Sequence, residues 1–162
     1  IISIHMHIFT DSSVNTKTKT GIGCYLILNS LDDEFTQENI QTIQLNDTSS
    51  TMAELDTIKH VLIEIDKYNL TDDIYLYTDC ENFVNLIEKR QYNENLVKHT
   101  NYKEYKEIID LVNKLKIKVI WVKGHDKQIN KTEQYEKIFS VVDKTARFRL
   151  RMNTFNLLYH QK

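Results

Sequence analysis

The order of strand-like and helix-like segments is the feature that most limits what this chain can fold into. Alternation of apolar and polar residues from Ile2 to Ile8 predicts a first strand. The stretches GIGCYLILNS at 21–30 and IQTIQLN at 40–46 predict two more. Three strands in direct succession, with a polar, turn-like segment at 12–20, are typical of an antiparallel meander.

The pattern changes after residue 46, because stretches with helical periodicity now alternate with strands. We predict a helix over about 50–69, strands at 73–79 and 117–124 with two helices between them, and a long final helix. Strands followed by alternating β and α units favour a mixed sheet with helices on its faces. The predicted fold class is therefore α/β, with a five-stranded mixed sheet whose first three strands are antiparallel.

Length and composition favour one domain over residues 1–162. The chain is 41% hydrophobic, which suffices for one substantial core, and no linker or repeat divides it. Apolar runs such as YLIL and VIWV are strand-sized, so we expect no membrane span and no leader peptide. Two cysteines, Cys24 and Cys80, are too few for a disulfide framework, and a cytoplasmic location is expected.

The formal net charge of −2 conceals a difference between the two halves of the chain. Residues 1–81 contain 4 Lys and Arg against 14 Asp and Glu, whereas residues 82–162 contain 17 against 9. The acidic half could bind cations and the basic half a polyanion. Uneven charges on solvated helix faces explain the difference equally well, so particular residues have to support a function.

Glu54 interrupts the apolar stripe of the helix predicted at 50–69. At about 100° per residue, Glu54 projects between Val61 and Ile65, two members of that stripe. An ionised carboxylate against apolar surface costs free energy unless a partner or a metal ion compensates. The sequence therefore raises the question of what Glu54 faces.

Three further acids lie at strand ends or within an apolar helix face. Asp11 ends the first predicted strand in FTDSS, Asp79 ends the fourth in LYTDCEN, and Asp143 interrupts the apolar face of the last helix. Taken singly, Asp11 is an ordinary turn residue, Asp79 a good helix N-cap, and Asp143 a candidate for a salt bridge. Because functional side chains gather at the carboxyl ends of strands in α/β sheets, the four acids together predict a shared site.

Carboxylates from separate elements are suited to hold hard divalent cations such as Mg²⁺. Two such ions about 3.5–4 Å apart can stabilise the attacking and leaving oxygens of a phosphodiester displacement. His125, in the loop WVKGHDK, could transfer a proton or assist product release, although loop histidines are more often merely exposed. His5 and His7 alternate on the first strand without a third N or S ligand, so no soft-metal site is predicted there.

Five motifs in this order, FTDSS, STMAEL, YTDCENFV, WVKGH and VDKTAR, resemble ribonuclease H of type 1 and its retroviral relatives. The resemblance spans almost the whole chain. It implies a five-stranded mixed sheet flanked by helices, hydrolysis of the RNA strand of an RNA–DNA hybrid, and two Mg²⁺ ions, for which Mn²⁺ could substitute. It further implies metal ligation by Asp11, Glu54, Asp79 and Asp143, and a catalytic histidine at His125.

The chain departs from the family pattern at several positions. The family usually has Asp-Gly-Ser where this chain has Asp11, Ser12 and Ser13, and often has Asn where this chain has Ser50 and Thr51. The segment before the fifth strand lacks the tryptophan-bearing basic protrusion of longer members. The candidate contacts to nucleic acid are Ser12, Ser13, Ser50, Thr51, Lys123, Lys127, Lys144 and Arg147.

The predicted function is metal-dependent, endonucleolytic cleavage of RNA in RNA–DNA hybrids, leaving 5′-phosphate and 3′-hydroxyl ends. We expect a monomer that binds the hybrid duplex and no membrane. Two alternatives are another nuclease of the same fold, such as an exonuclease or a resolvase, and a non-catalytic nucleic-acid-binding module. Exonucleases of this group usually carry Asp-x-Glu on the first strand, which Asp11-Ser12-Ser13 does not match, and binding alone requires no set of four acids.

Overall fold

The computed structural model describes residues 5–69, 73–123 and 133–160, with side chains described as far as Asn156. Within these ranges five strands form one sheet in the order β3-β2-β1-β4-β5. The strands are β1 (His5–Asn15), β2 (Thr20–Leu28), β3 (Gln41–Leu45), β4 (Asp73–Thr78) and β5 (Lys118–Trp121). The β1–β2 and β2–β3 pairs are antiparallel, and β4 is parallel to both β1 and β5. The predicted fold class is confirmed.

Four α-helices in the described part of the chain cover the two faces of this sheet. They are α1 (Ser50–Asp66), α2 (Glu81–Glu88), α3 (Tyr102–Leu115) and α4 (Gln134–His160). Because side chains alternate along β1, Ile8 enters a core with α1, α2 and α3, whereas Phe9 enters a second core with α4. None of the described helices is both long and apolar enough to cross a bilayer. That the chain forms one domain and that it is a monomer both stay predictions.

The first strand is longer than expected, and Asp11 does not end it. β1 continues to Asn15, and its last residues pair with β2 through Ser12–Gly23 and Asn15–Thr20, so most of the predicted turn is strand. The error arose because polar residues in this extension look like a turn, although backbone pairing with β2 suffices to keep them extended. The pairing of β1 with β4 stops at Phe9, so Asp11 still lies near the carboxyl end of β4.

Helix α1 approaches the sheet closely at Gly23 of β2. A Cβ built on Gly23 would overlap Oγ1 of Thr57 and lie 2.9 Å from Cγ1 of Ile43. The Thr57 hydroxyl donates to the carbonyl of Ala53 at 2.7 Å and is fully buried, so it has little freedom to move. The absence of a side chain at Gly23 therefore places α1, and with it Glu54, directly against the neighbouring strands.

Gly23→Ala should consequently lower the free energy of unfolding by about 1–3 kcal/mol, the usual cost of overpacking a core. Gly21→Ala is the matched comparison, because its Cβ would meet nothing closer than 3.1 Å. Urea unfolding of both variants measures the effect. Equal losses for the two variants would contradict the packing role assigned to Gly23.

Candidate active site

Three acids converge beside the carboxyl end of β4. Asp11 comes from the middle of β1, Glu54 from the second turn of α1, and Asp79 directly follows β4. Each offers a carboxylate oxygen, and these oxygens all lie within 4.8 Å of one another. Asp11 is buried, and Glu54 and Asp79 are half-buried. Asp79 is also not the N-cap of α2, since that position belongs to Cys80.

Glu54 faces Ser12 and the other acids. Its Oε1 accepts hydrogen bonds from the backbone N–H of Ser12 at 3.0 Å and from the Ser12 hydroxyl at 2.6 Å. No Lys or Arg of the described residues forms an ion pair with Glu54. The carboxylate in the apolar stripe of α1 is thus part of an acidic cluster, and no Lys or Arg in the described part of the chain neutralises it.

Burial and mutual repulsion make this cluster unfavourable in its fully ionised form. Burial raises the pKa of Asp11 well above its ordinary value, and the charges of Glu54 and Asp79 raise it further. Burial also raises the pKa of Glu54 to about 7, against the opposing effect of its hydrogen bonds from Ser12. A bound divalent cation would reverse both shifts, because it favours the ionised carboxylates.

Asp143 approaches Asp11 from α4, but its carboxylate is not among the three whose oxygens all lie within 4.8 Å of one another. A hydrogen-bonding contact with Asp143 contributes to the raised pKa of Asp11. On its other side, Oδ2 of Asp143 accepts from Nη2 of Arg147, one helical turn away, at 2.6 Å. The side chain of Asp143 is 32% exposed and that of Arg147 is 56% exposed, so this ion pair is in contact with solvent.

The acidic cluster fits a hard divalent cation. In the described part of the chain, Oδ2 of Asp11 and Oε2 of Glu54 are buried without a hydrogen-bond partner. Buried carboxylate oxygens without partners cost free energy, and a cation that binds them removes that cost. An all-oxygen ligand set matches Mg²⁺ and Mn²⁺ better than softer metals.

Comparison with known proteins agrees with this geometry. The model of the family described as RNase H matches residues 4–140. The chain belongs to the RNase H family. This is the family that the sequence motifs predicted. The matched range contains Asp11, Glu54 and Asp79 and ends three residues before Asp143. A search of curated proteins finds no match.

Solved structures share the RNase H fold at low sequence identity. Prototype foamy virus protease-reverse transcriptase matches with 17% identity and a TM-score of 0.60, over 88% of this chain and 20% of that one. LC9-RNase H1, a type 1 RNase H with the type 2 active-site motif, matches with 16% identity and a TM-score of 0.60, over 77% and 65%. The N-terminal RNase H domain of rv2228c from Mycobacterium tuberculosis, fused to maltose-binding protein, matches with 12% identity and a TM-score of 0.64. That match covers 94% of this chain and 99% of the other. The chain thus spans a fifth of the first structure's length and 65% of the second's.

Glu54 and Asp79 of this RNase H domain open onto a polar cleft of about 510 Å³. Besides the acids, hydroxyl and amide side chains of α1 and α2 line it, together with Trp121 at the end of β5. Sequence reasoning missed Trp121, Asn82 and Asn85. Trp121 begins the WVKGH motif within the strand predicted at 117–124, and the two Asn residues share the α2 face that follows Asp79. The sequence therefore contained a signal for each of these three residues.

The predicted nucleic-acid contacts of the RNase H domain are in different environments. Ser12 is hydrogen-bonded to Glu54, and Ser13 is half-buried in β1. Ser50 and Thr51 line the cleft, where Thr51 accepts a long hydrogen bond of 3.4 Å from Asn82. Of the basic side chains predicted to contact nucleic acid, Lys123 and Lys144 are exposed, and Arg147 is paired with Asp143. His125 and Lys127 lie outside the described residues.

Proposed function

We propose that this RNase H domain hydrolyses the RNA strand of RNA–DNA hybrids at internal positions, with two divalent cations, Mg²⁺ or Mn²⁺, at the acidic cluster. The observation that carries the proposal is the convergence of Asp11, Glu54 and Asp79, whose carboxylate oxygens lie within 4.8 Å of one another, beside an open polar cleft that Glu54 and Asp79 line. A binding module gains nothing from like charges held together in this way, because their repulsion costs stability without a cation.

The residues that would hold the cations are Asp11, Glu54, Asp79 and Asp143. When bound, the cations would activate the attacking water and stabilise the leaving 3′-oxygen, which yields 5′-phosphate and 3′-hydroxyl ends. The chain itself supplies the preorganised ligands. Asp11 and Glu54 are fixed on β1 and α1, so their carboxylates need no rearrangement before substrate binds. His125 is proposed to transfer a proton or to assist product release.

The cleft provides contacts suited to a hybrid duplex. Ser50, Thr51, Asn82 and Asn85 present hydroxyl and amide groups that can hydrogen-bond ribose 2′-hydroxyls, the groups that distinguish RNA from DNA. Trp121 is 42% exposed and can stack against a base or sugar. The exposed Lys123 and Lys144, with Lys127, are proposed to contact phosphates of the substrate.

A hybrid with a label at one end of its RNA strand tests the proposal. With Mg²⁺ or Mn²⁺ we expect internal cuts in the RNA strand, and with EDTA we expect none. Double-stranded RNA, double-stranded DNA and both single strands serve as parallel substrates and should remain intact. Equal cutting of double-stranded DNA, or degradation that starts from an end, would show that the chain is a different nuclease of the same fold.

A further inference from the structure

Ser12 holds the carboxylate of Glu54 through two separate donors. Its backbone N–H lies 3.0 Å and its hydroxyl oxygen 2.6 Å from the same atom, Oε1 of Glu54. The shorter distance is typical of a charge-assisted O–H···O⁻ hydrogen bond, which is about twice as strong as a neutral one. The hydroxyl therefore fixes the rotation of the carboxylate, which a backbone N–H alone leaves freer.

The two partners are themselves held in place by the fold. Ser12 is in the middle of β1, opposite Gly23 of β2, and so cannot shift along the strand without breaking the pairing. Glu54 is on α1, which packs closely on β2 because the Thr57 side chain of α1 occupies the space beside Gly23. Since both the donor and the acceptor belong to rigid elements, their contact determines which oxygen of Glu54 remains available.

The available oxygen is Oε2. It is buried and has no hydrogen-bond partner within the described part of the chain, whereas Oε1 already accepts two hydrogen bonds. Glu54 can therefore offer a cation one oxygen readily and the second only by losing the bonds to Ser12. Mg²⁺ requires near-ideal octahedral coordination by single oxygens, whereas Ca²⁺ takes 6–8 oxygens and accepts both oxygens of one carboxylate.

We propose that Ser12 is a positioning residue that holds Glu54 as a single-oxygen metal ligand, and thereby strengthens Mg²⁺ binding relative to Ca²⁺ binding at the acidic cluster. This inference rests on the proposed function, because it assumes that the cluster binds a divalent cation. It adds a role for a side chain at a position where the family pattern usually has glycine, which has no hydroxyl to donate.

Calorimetric titration of Mg²⁺ and of Ca²⁺ into the full chain, without nucleic acid, tests the inference. Ser12→Ala should weaken Mg²⁺ binding about tenfold, a typical effect of removing a hydrogen bond to a metal ligand. Ca²⁺ binding should change less, so the ratio of the two affinities should fall. Ser12→Thr keeps the hydroxyl and should restore the wild-type ratio. Thr18→Ala is the control, because it removes an exposed hydroxyl of the same hairpin that contacts Thr20.

The possible results are distinguishable. Wild-type protein that binds neither cation overturns the metal site of the proposed function together with this inference. Wild-type protein that binds Mg²⁺, with unchanged affinity in Ser12→Ala or with equal losses for both cations, overturns this inference alone. A lower melting temperature of Ser12→Ala in EDTA without any change in affinity also overturns it, since the role is then purely structural. If Ser12→Ala does not fold, Ser12→Cys replaces it, because it fills the space with a much weaker donor.

Discussion

Glu54→Gln should abolish most of the activity while making the metal-free protein more stable. The substitution keeps the shape of the side chain and an oxygen that can accept from Ser12, but it removes a charge from a buried cluster of acids. Because the fold raises the pKa of Glu54 to about 7, its ionisation opposes folding above that pH. In EDTA at pH 8 we expect Glu54→Gln to be more stable by about 1–3 kcal/mol.

The sign of this effect depends on pH and on metal. A carboxyl group whose pKa is raised on folding contributes stability below its unfolded value of 4.5, and loses that contribution as the pH rises through about 7. The advantage of Glu54→Gln in EDTA should therefore shrink as the pH falls from 8 to 5. With Mg²⁺ the wild type should gain stability through ligand linkage, and the variant should gain much less.

Melting curves of Glu54→Gln and wild type in EDTA and in Mg²⁺ measure these effects, together with hybrid cleavage rates. Loss of a metal ligand should lower kcat/KM by about 10²–10⁴-fold, equivalent to several kcal/mol of transition-state stabilisation. Glu64→Gln is the matched control on the same helix, since Glu64 pairs with Lys67 at the surface and is not part of the acidic cluster. A large destabilisation of Glu54→Gln in EDTA would show that Glu54 serves a structural purpose.

Asp143→Asn should lower kcat/KM by at least about 10²-fold with little change in stability. Asp143 approaches Asp11 from α4, so its loss removes the acid that we propose as the fourth metal ligand. Its ion pair with Arg147 is partly exposed on both sides, and such pairs contribute about 0–1 kcal/mol to stability. A strong effect on cleavage with a weak effect on unfolding is therefore the expected combination.

Asp110→Asn provides a closely matched control for Asp143→Asn. Asp110 accepts from Lys106 at 2.8 Å, also one helical turn apart, and is exposed on α3. Both variants remove one negative charge and one ion pair from a helix. The main difference between them is that Asp143 lies near the acidic cluster and Asp110 does not. Cleavage rates of the two variants on one hybrid, with urea unfolding of each, make the comparison. Similar cleavage by both would contradict a role for Asp143 at the active site.

The fold could be predicted well because its main signals are local. The alternation in β1 and the helical periodicity around Glu54 each depend on neighbouring residues, and the order of elements restricts a five-stranded sheet to few arrangements. Glu54 was also identifiable, because a charge within an apolar stripe is visible in a helical projection, and Asp11 and Asp79 were identifiable from their positions at the predicted strand ends. The extension of β1 to Asn15 was not, since polar residues in a hairpin take their conformation from a paired strand.

The site shows the same division. By itself the sequence identified the three acids that the structure brings together, Asp11, Glu54 and Asp79, because burial of an acid without a nearby cation is costly wherever it occurs. Only the tertiary structure decided that Ser12 binds Glu54, 42 residues away in the chain, and that Trp121 borders the cleft. Those contacts depend on the register of β1 with β2 and on the close approach of α1 at Gly23, which arise from packing between distant segments and leave no periodic pattern in the sequence.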